Sequence, residues 1–261
     1  RRGMDLFTLT DHDSIEGSAA LRALPNFFLS EELTCRMPSG TQIHVGVYDI
    51  TERQHIELQR RRADLLSLLA YLSERRILFS INHVFSAITG SRLAEDFEWF
   101  REFFPAMETQ NSHMLAAQNE SAAALAAHWQ KIPLGGSDAH ALPSVGTAFT
   151  EVAGARDKYE FFDGLRAGFG RVHGESGGFR KLTRDVYLIV LEMMRETNWT
   201  ALLSPLAALI PAATFLTLLN ESRFNRRWAA EILGQSRQRR TSPIWLPIRM
   251  SARGGFSGVG A

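Results

Sequence analysis

Sulfur chemistry is almost absent from this chain, which has one cysteine, Cys35, in 261 residues. One thiol closes no internal disulfide and builds no cysteine-based zinc cluster, so any metal held here must rest on His, Asp and Glu. A lone thiol fits a reducing compartment, and a cytoplasmic location is the expectation. An excess of either charge is missing too: 29 Lys and Arg face 28 Asp and Glu, a net charge of +1. Without a basic excess there is little to neutralise a run of phosphates, which argues against nucleic acid as a partner. Arg60-Arg61-Arg62 is a local basic run, read as the solvated face of a helix. No secretory signal pattern is visible at the N-terminus, and no internal repeat is found. A Gly-x-Ser-x-Gly elbow and a Walker-type Gly-Lys-Ser/Thr are both lacking. Gly135-Gly136 is too short to cradle a phosphate and reads as a tight turn, while Met193-Met194 reads as apolar packing.

What is present is an alternation of strand-like and helix-like stretches. Residues 6–10 form an apolar run that climbs into Asp11-His12-Asp13, and Ser14 is placed to cap a helix over 15–24. Extended segments follow at 27–29, 33–36 and 43–48, with Pro38-Ser39-Gly40 as a turn between the last two. A long helix is expected over 52–73, with an apolar stripe through Leu58, Leu65, Leu68, Leu69 and Leu72. Further strands are expected at 77–81, 106–109 and around Leu134, and helices at 93–104, 114–129 and 158–167. This order implies a βα barrel or a doubly wound sheet.

The glycines of 174–178 mark a boundary. Three parts follow: 1–178 as the chemical domain, 179–235 as an apolar helical segment, and 236–261 as a basic, Gly- and Ser-rich tail with little order. Residues 199–219 carry no charge and are trailed by Arg223, Arg226 and Arg227. That run reads as a membrane-associated helix with the arginines on the cytoplasmic side, or as a buried helical pair interrupted by Pro205 and Pro211.

Nearly every expected strand delivers an acid or an imidazole near one end: Asp11 and His12, Glu32, His44, His83, Glu108, Asp138 and His140. Any one of them alone is more often a core or surface residue than a ligand. Their recurrence at one topological position points to an oxygen- and nitrogen-lined centre suited to zinc, manganese or iron.

Thr10-Asp11-His12-Asp13, Ser30-Glu31-Glu32-Leu33-Thr34, Ile43-His44-Val45-Gly46-Val47-Tyr48, Ile81-Asn82-His83-Val84 and Gly136-Ser137-Asp138-Ala139-His140, with Val145-Gly146 after them, come in the order of the motifs of the PHP (polymerase and histidinol phosphatase) superfamily. The chain resembles that family over roughly residues 3–178. Ser30 stands for a glycine of the family pattern, Gly46 comes one residue early, and Asn82 and Val84 replace a small residue and a proline around His83. The family's first motif, a His-x-His strand followed by Ser-Asp-Gly, has no counterpart ahead of Asp11, and it is expected in sequence upstream of Arg1.

The resemblance implies an α/β fold: a distorted seven-stranded βα barrel, here without its first strand, followed by the C-terminal apolar helical segment. It implies up to three divalent ions (Mn, Zn or Fe) in the complete protein. Glu32 would bridge two of them, His44 and His83 would share one, Asp138 would hold another, and His12 and His140 the third. Asp11 would orient a ligand, and Asp11 and His12 would form the catalytic pair. Arg92 is a phosphate contact on charge and place. The implied activity is hydrolysis of a small phosphorylated substrate, a phosphate monoester or a small nucleotide, by metal-bound hydroxide. The alternative is a non-catalytic metal-binding module anchored to a membrane by 199–219, and a nuclease is disfavoured by the charge balance.

Overall fold

The computed structural model describes residues 3–196 and 206–239. Its centre is a mixed five-stranded sheet of β1 (Ser30–Arg36), β2 (Gln42–Tyr48), β3 (Leu78–Ile81), β4 (Ala106–Asn111) and β5 (Ile132–Gly136), paired in that order. The first two pairings are antiparallel and the last two parallel. A separate antiparallel pair, β6 (Ala148–Val152) and β7 (Gly170–Gly174), lies against β5, where the Gly135 amide donates to Thr150 Oγ1 at 2.8 Å. Seven α-helices are present among the described residues: α1 (Glu52–Arg61), α2 (Leu65–Glu74), α3 (Ala94–Phe103), α4 (Ala116–Trp129), α5 (Lys158–Arg166), α6 (Phe179–Glu196) and α7 (Ile210–Arg239).

The sheet is open, and no closed seven-stranded barrel forms among the described residues. The expected strand at 6–10 is reduced to single bridges, Phe7 to Phe27 and His12 to Glu32, because the segment meets a neighbour at two points rather than along a ladder. The expected helix over 15–24 is one 3-10 turn, Glu16–Ser18, followed by turns. Ser14 Oγ accepts from the Glu16 amide, but Gly17 is fixed by the Asp11 carboxylate, which occupies the space a Cβ would need. The long helix over 52–73 is two helices. Thr51 and Gln54 make a reciprocal capping box at the start of α1, and Asp64 accepts from the Ser67 amide to start α2 afresh.

Strand alternation sorts core from chemistry. Leu33, Val45 and Ile81 sit opposite one another across β1, β2 and β3 and are fully buried among α2, α3 and α4 side chains such as Leu68, Leu72, Phe97, Phe100 and Leu125. Shifting one residue along each strand turns to the other face, and there stand Glu32, His44 and Ser80. A second, smaller apolar cluster of Leu78, Ala106 and Leu134 with Phe162 and Leu165 of α5 covers the lower part of that side.

The C-terminal helices are tied to the rest. Trp228 and Ile232 of α7 join the main core, with Trp228 5.2 Å from the Phe97 ring. Glu221 of α7 accepts from the Ala87 amide at 3.2 Å and from Gln118 Nε2 at 2.6 Å. No helix among the described residues is long and apolar enough to cross a membrane. Residues 199–205 of the uncharged run, and the tail from 240 onward, lie outside the described residues.

Candidate metal centre

Glu32 is the centre of the first cluster. It is 6% exposed, and its carboxylate is met by three imidazoles: His83 Nε2 at 3.2 Å from Oε1, and His12 Nε2 at 3.3 Å and His44 Nδ1 at 3.7 Å from Oε2. The rings crowd one another, with His12 and His44 centroids 4.7 Å apart and His44 and His83 5.5 Å apart. Asn82, where the family carries a small residue, donates Nδ2 to Glu32 Oε1 at 2.7 Å. Behind it Ser80 Oγ donates to Asn82 Oδ1 at 2.6 Å and meets the Tyr48 hydroxyl at 2.9 Å. Gly46 makes room for this chain, since a Cβ there would strike the Tyr48 hydroxyl and Ser80 Oγ.

Charge follows from these contacts. Burial alone would raise the Glu32 pKa, but the His83 hydrogen bond and charge, Asn82 and His44 hold it down at about 2. His44 is pushed to about 4, first by burial and then by the neighbouring His83 and His12 charges, against the pull of Glu32. His83 goes the other way. Burial disfavours its cation, yet the carboxylates of Glu108, 2.7 Å from Nδ1, and Glu32 hold its pKa well above the usual range. Glu108 also accepts from the His83 amide at 3.1 Å, which fixes the left-handed backbone of His83 (φ 51°).

The arrangement fits a cation. His44 Nδ1 is buried without a hydrogen-bond partner, 3.7 Å from the ionised Glu32 carboxylate. Donors about 2.1 Å from a shared tetrahedral ion stand about 3.4 Å apart, which matches the 3.3 and 3.7 Å separations of His12 and His44 from Glu32 Oε2. Glu108, 2.7 Å from His83 Nδ1, stands where a carboxylate steadies an imidazole ring in one orientation.

A second cluster lies one strand away. Donor atoms of His113, Asp138 and His140 fall within 4.8 Å of one another, as do those of His12, Glu32 and His44. Asn111 joins the two clusters. Its Nδ2 donates to Glu108 Oε1 at 2.9 Å and to Asp138 Oδ2 at 3.2 Å. Of the expected ligands, His12, Glu32, His44 and His83 are therefore brought together, and Asp138 and His140 stand as a separate pair. The structure groups His12 with His44 rather than with His140.

Asp11 places its carboxylate over Gly17 and accepts the Glu32 amide on its carbonyl at 3.1 Å. Asp13 anchors the corner, accepting from the Thr34 amide at 2.8 Å and pairing with Arg62 at 2.9 Å. Arg92 is 3% exposed, donates Nη1 to the Gln42 carbonyl at 2.8 Å, and leaves Nε and Nη2 buried without partners. Three residues escape sequence reading: His113, a lone His after β4, and Asn82 and Asn111, whose amides reveal their role only through partners 50 and 27 residues away. A cavity of about 390 Å³ nearby is lined by Pro143, Thr147, Glu175, Arg180, Lys181 and Arg184.

An α/β sheet that gathers imidazoles and carboxylates on and just past its strands, without a thiolate, has a donor set that suits a divalent cation. Residues 116–169 match the PHP-associated family model. The matched residues lie within the stretch that carries the ordered motifs. No curated protein matches the chain. Among solved structures it is similar to PsfC from Pseudomonas syringae, with 21% identity and a TM-score of 0.44 over 59% of this chain and 70% of that one. It is similar to a two-domain protein from Bacteroides vulgatus containing a predicted PHP-like metal-dependent phosphoesterase, with 15% identity and a TM-score of 0.49 over 66% and 57%. The lesion-specific endonuclease PfuEndoQ from Pyrococcus furiosus gives 17% identity and a TM-score of 0.47 over 66% and 50%. The chain thus spans about half the length of the last two.

Proposed function

We propose that this chain carries the metal centre of a phosphoester hydrolase. The single observation behind the reading is the Glu32 carboxylate ringed by His12, His44 and His83, with His44 Nδ1 buried and without a hydrogen-bond partner. Glu32, His12, His44 and His83 would hold one part of the divalent set, and Asp138 and His140 another. A divalent ion bound there supplies a low-pKa water as nucleophile and neutralises charge on the phosphoryl oxygens. The chain's own contribution is positioning. Asn82 and the Ser80–Tyr48 relay fix Glu32, Glu108 fixes His83, and Asn111 sets Asp138 against Glu108.

The proposed substrate is a phosphate monoester or small nucleotide, with Mn, Zn or Fe as the metal. Arg92, buried with two unpartnered donors, is a phosphate contact only if its surroundings open. The balance of total charge does not remove nucleic acid, because charge acts locally and Arg180, Lys181 and Arg184 line one cavity. A non-catalytic module anchored in a membrane has no supporting helix among the described residues. Hydrolysis of an aryl phosphate with added manganese or zinc, abolished by a chelator and by Glu32→Ala, is the expected result. Chelator-resistant turnover, or none with any divalent metal, would overturn the reading.

A further inference from the structure

His113 stands in the turn after β4, and its ring stacks on that of His140, with centroids 5.5 Å and planes 16° apart. Its other flank is committed: Nε2 lies 3.0 Å from Oδ2 of Asp185, on α6. Asp185 is 1% exposed. The Ser144 hydroxyl donates to its Oδ2, and Arg184 donates to Oδ1 from Nε at 3.1 Å and Nη2 at 2.9 Å, so it is held as a carboxylate. An imidazole that donates Nε2–H to a carboxylate keeps the Nδ1 lone pair, and this is the usual form of a metal-ligating histidine. The turn itself is fixed by the partner that the Asp138 carboxylate uses: the His113 amide donates to Asn111 Oδ1 at 2.8 Å while Asn111 Nδ2 donates to Asp138 at 3.2 Å.

We propose that His113 is a ligand of the cation held by Asp138 and His140, and that Asp185 is its positioning residue. The proposal rests on the metal reading above and extends it. It adds a ligand that lies outside the recognised motifs and assigns α6 a part in the centre. Asp138, His140 and His113 then make a set of one carboxylate and two imidazoles drawn wholly from this chain. A pair that merely pinned α6 to the turn would change stability and leave metal binding alone, and this difference is measurable.

The test uses the full chain, stripped with a chelator and titrated with cobalt(II), reading visible absorption and the metal retained after desalting. The wild-type chain is expected to take up two classes of cobalt. His113→Ala should lose one class and keep the other, and Glu32→Ala should show the complementary loss. His113→Gln, whose amide can still donate to Asp185, should lose the same class as His113→Ala, which separates ligation from packing. Asp185→Asn should weaken that class roughly 10- to 100-fold, the size seen when a ligand's outer partner is removed, and Asp185→Glu should restore it. Unchanged cobalt number and affinity in both His113 variants would overturn the proposal while leaving the Glu32 centre standing. A lower melting temperature in Asp185→Asn with unchanged cobalt affinity would overturn the positioning role. A wild-type chain that binds no cobalt would overturn this proposal and the metal reading together.

Discussion

His44 and His83 share one carboxylate and are driven in opposite directions. Burial and two neighbouring imidazoles push His44 to about 4, while Glu108 and Glu32 override burial at His83 and hold it well above the ordinary value. In the metal-stripped protein, a proton-by-proton NMR titration should give a His44 midpoint near pH 4 and a His83 midpoint above about 6.5, the usual histidine value. Two midpoints near 6.5 would mean that the rings do not sit around Glu32 as described. The two have opposite effects on stability. The unfolded chain protonates its histidines near 6.5, above the folded value for His44, so acidification from 6.5 toward 4 favours the unfolded state through that ring. His83 contributes stability below about 6.5, lost as pH rises through its elevated folded value. At this scale the sequence is legible where a motif names a residue that the fold brings to one place, as with His12, Glu32, His44 and His83. It is silent at His113 and Asp185, because a lone His and an Asp on an apolar helix gain meaning only from each other, 72 positions apart.

Among the elements, β2, β3, α3, α4 and α5 fall close to the ranges expected from the sequence. The break between α1 and α2 was also written there: Asp64 ahead of Leu65, Leu66 and Ser67 is a good cap, but the continuous leucine stripe outweighs it on reading. The segment at 6–10 reads as a strand by pattern and lacks the ladder that would make it one. α7 begins within the uncharged run and reaches the core. Its apolar beginning reads as a membrane run or as part of a buried helical pair, and further along the Trp228 side chain, 4% exposed, packs at 5.2 Å on Phe97 with Arg227 5.1 Å from its ring. Trp228→Ala should lower stability by about 3–5 kcal/mol, the range for emptying a buried aromatic site. Urea denaturation checks it, and a shift of under about 1 kcal/mol would mean that α7 docks loosely.

For the molecule as a whole, the compositional boundary at 174–178 invites the division into 1–178 and 179–235, and we carry that division forward as a proposal about sequence regions. The contacts across it are dense in chemistry: Asp185 with His113 and Ser144, Glu221 with Ala87 and Gln118, and Trp228 with the core. A chain ending at Gly178 should therefore lose its sharp urea transition and bind the dye ANS, as expected of a core left uncovered. A truncated chain that unfolds as cooperatively as the full one, with no dye binding, would show that 1–178 folds by itself.

Asn111 has one amide nitrogen and spends it on both sides, on Glu108 behind His83 and on Asp138 beside His140. A group shared in this way makes the two halves reciprocal. Whatever draws Asp138 away from the amide changes the grip on Glu108, and so the ring that Glu108 steadies, by the same free energy in either direction. Filling one half should thus alter the affinity of the other, giving an uptake curve that two independent sites do not fit. Asn111→Ala should make the two halves titrate independently, and a wild-type curve already fitted by independent sites would show that the shared amide transmits nothing.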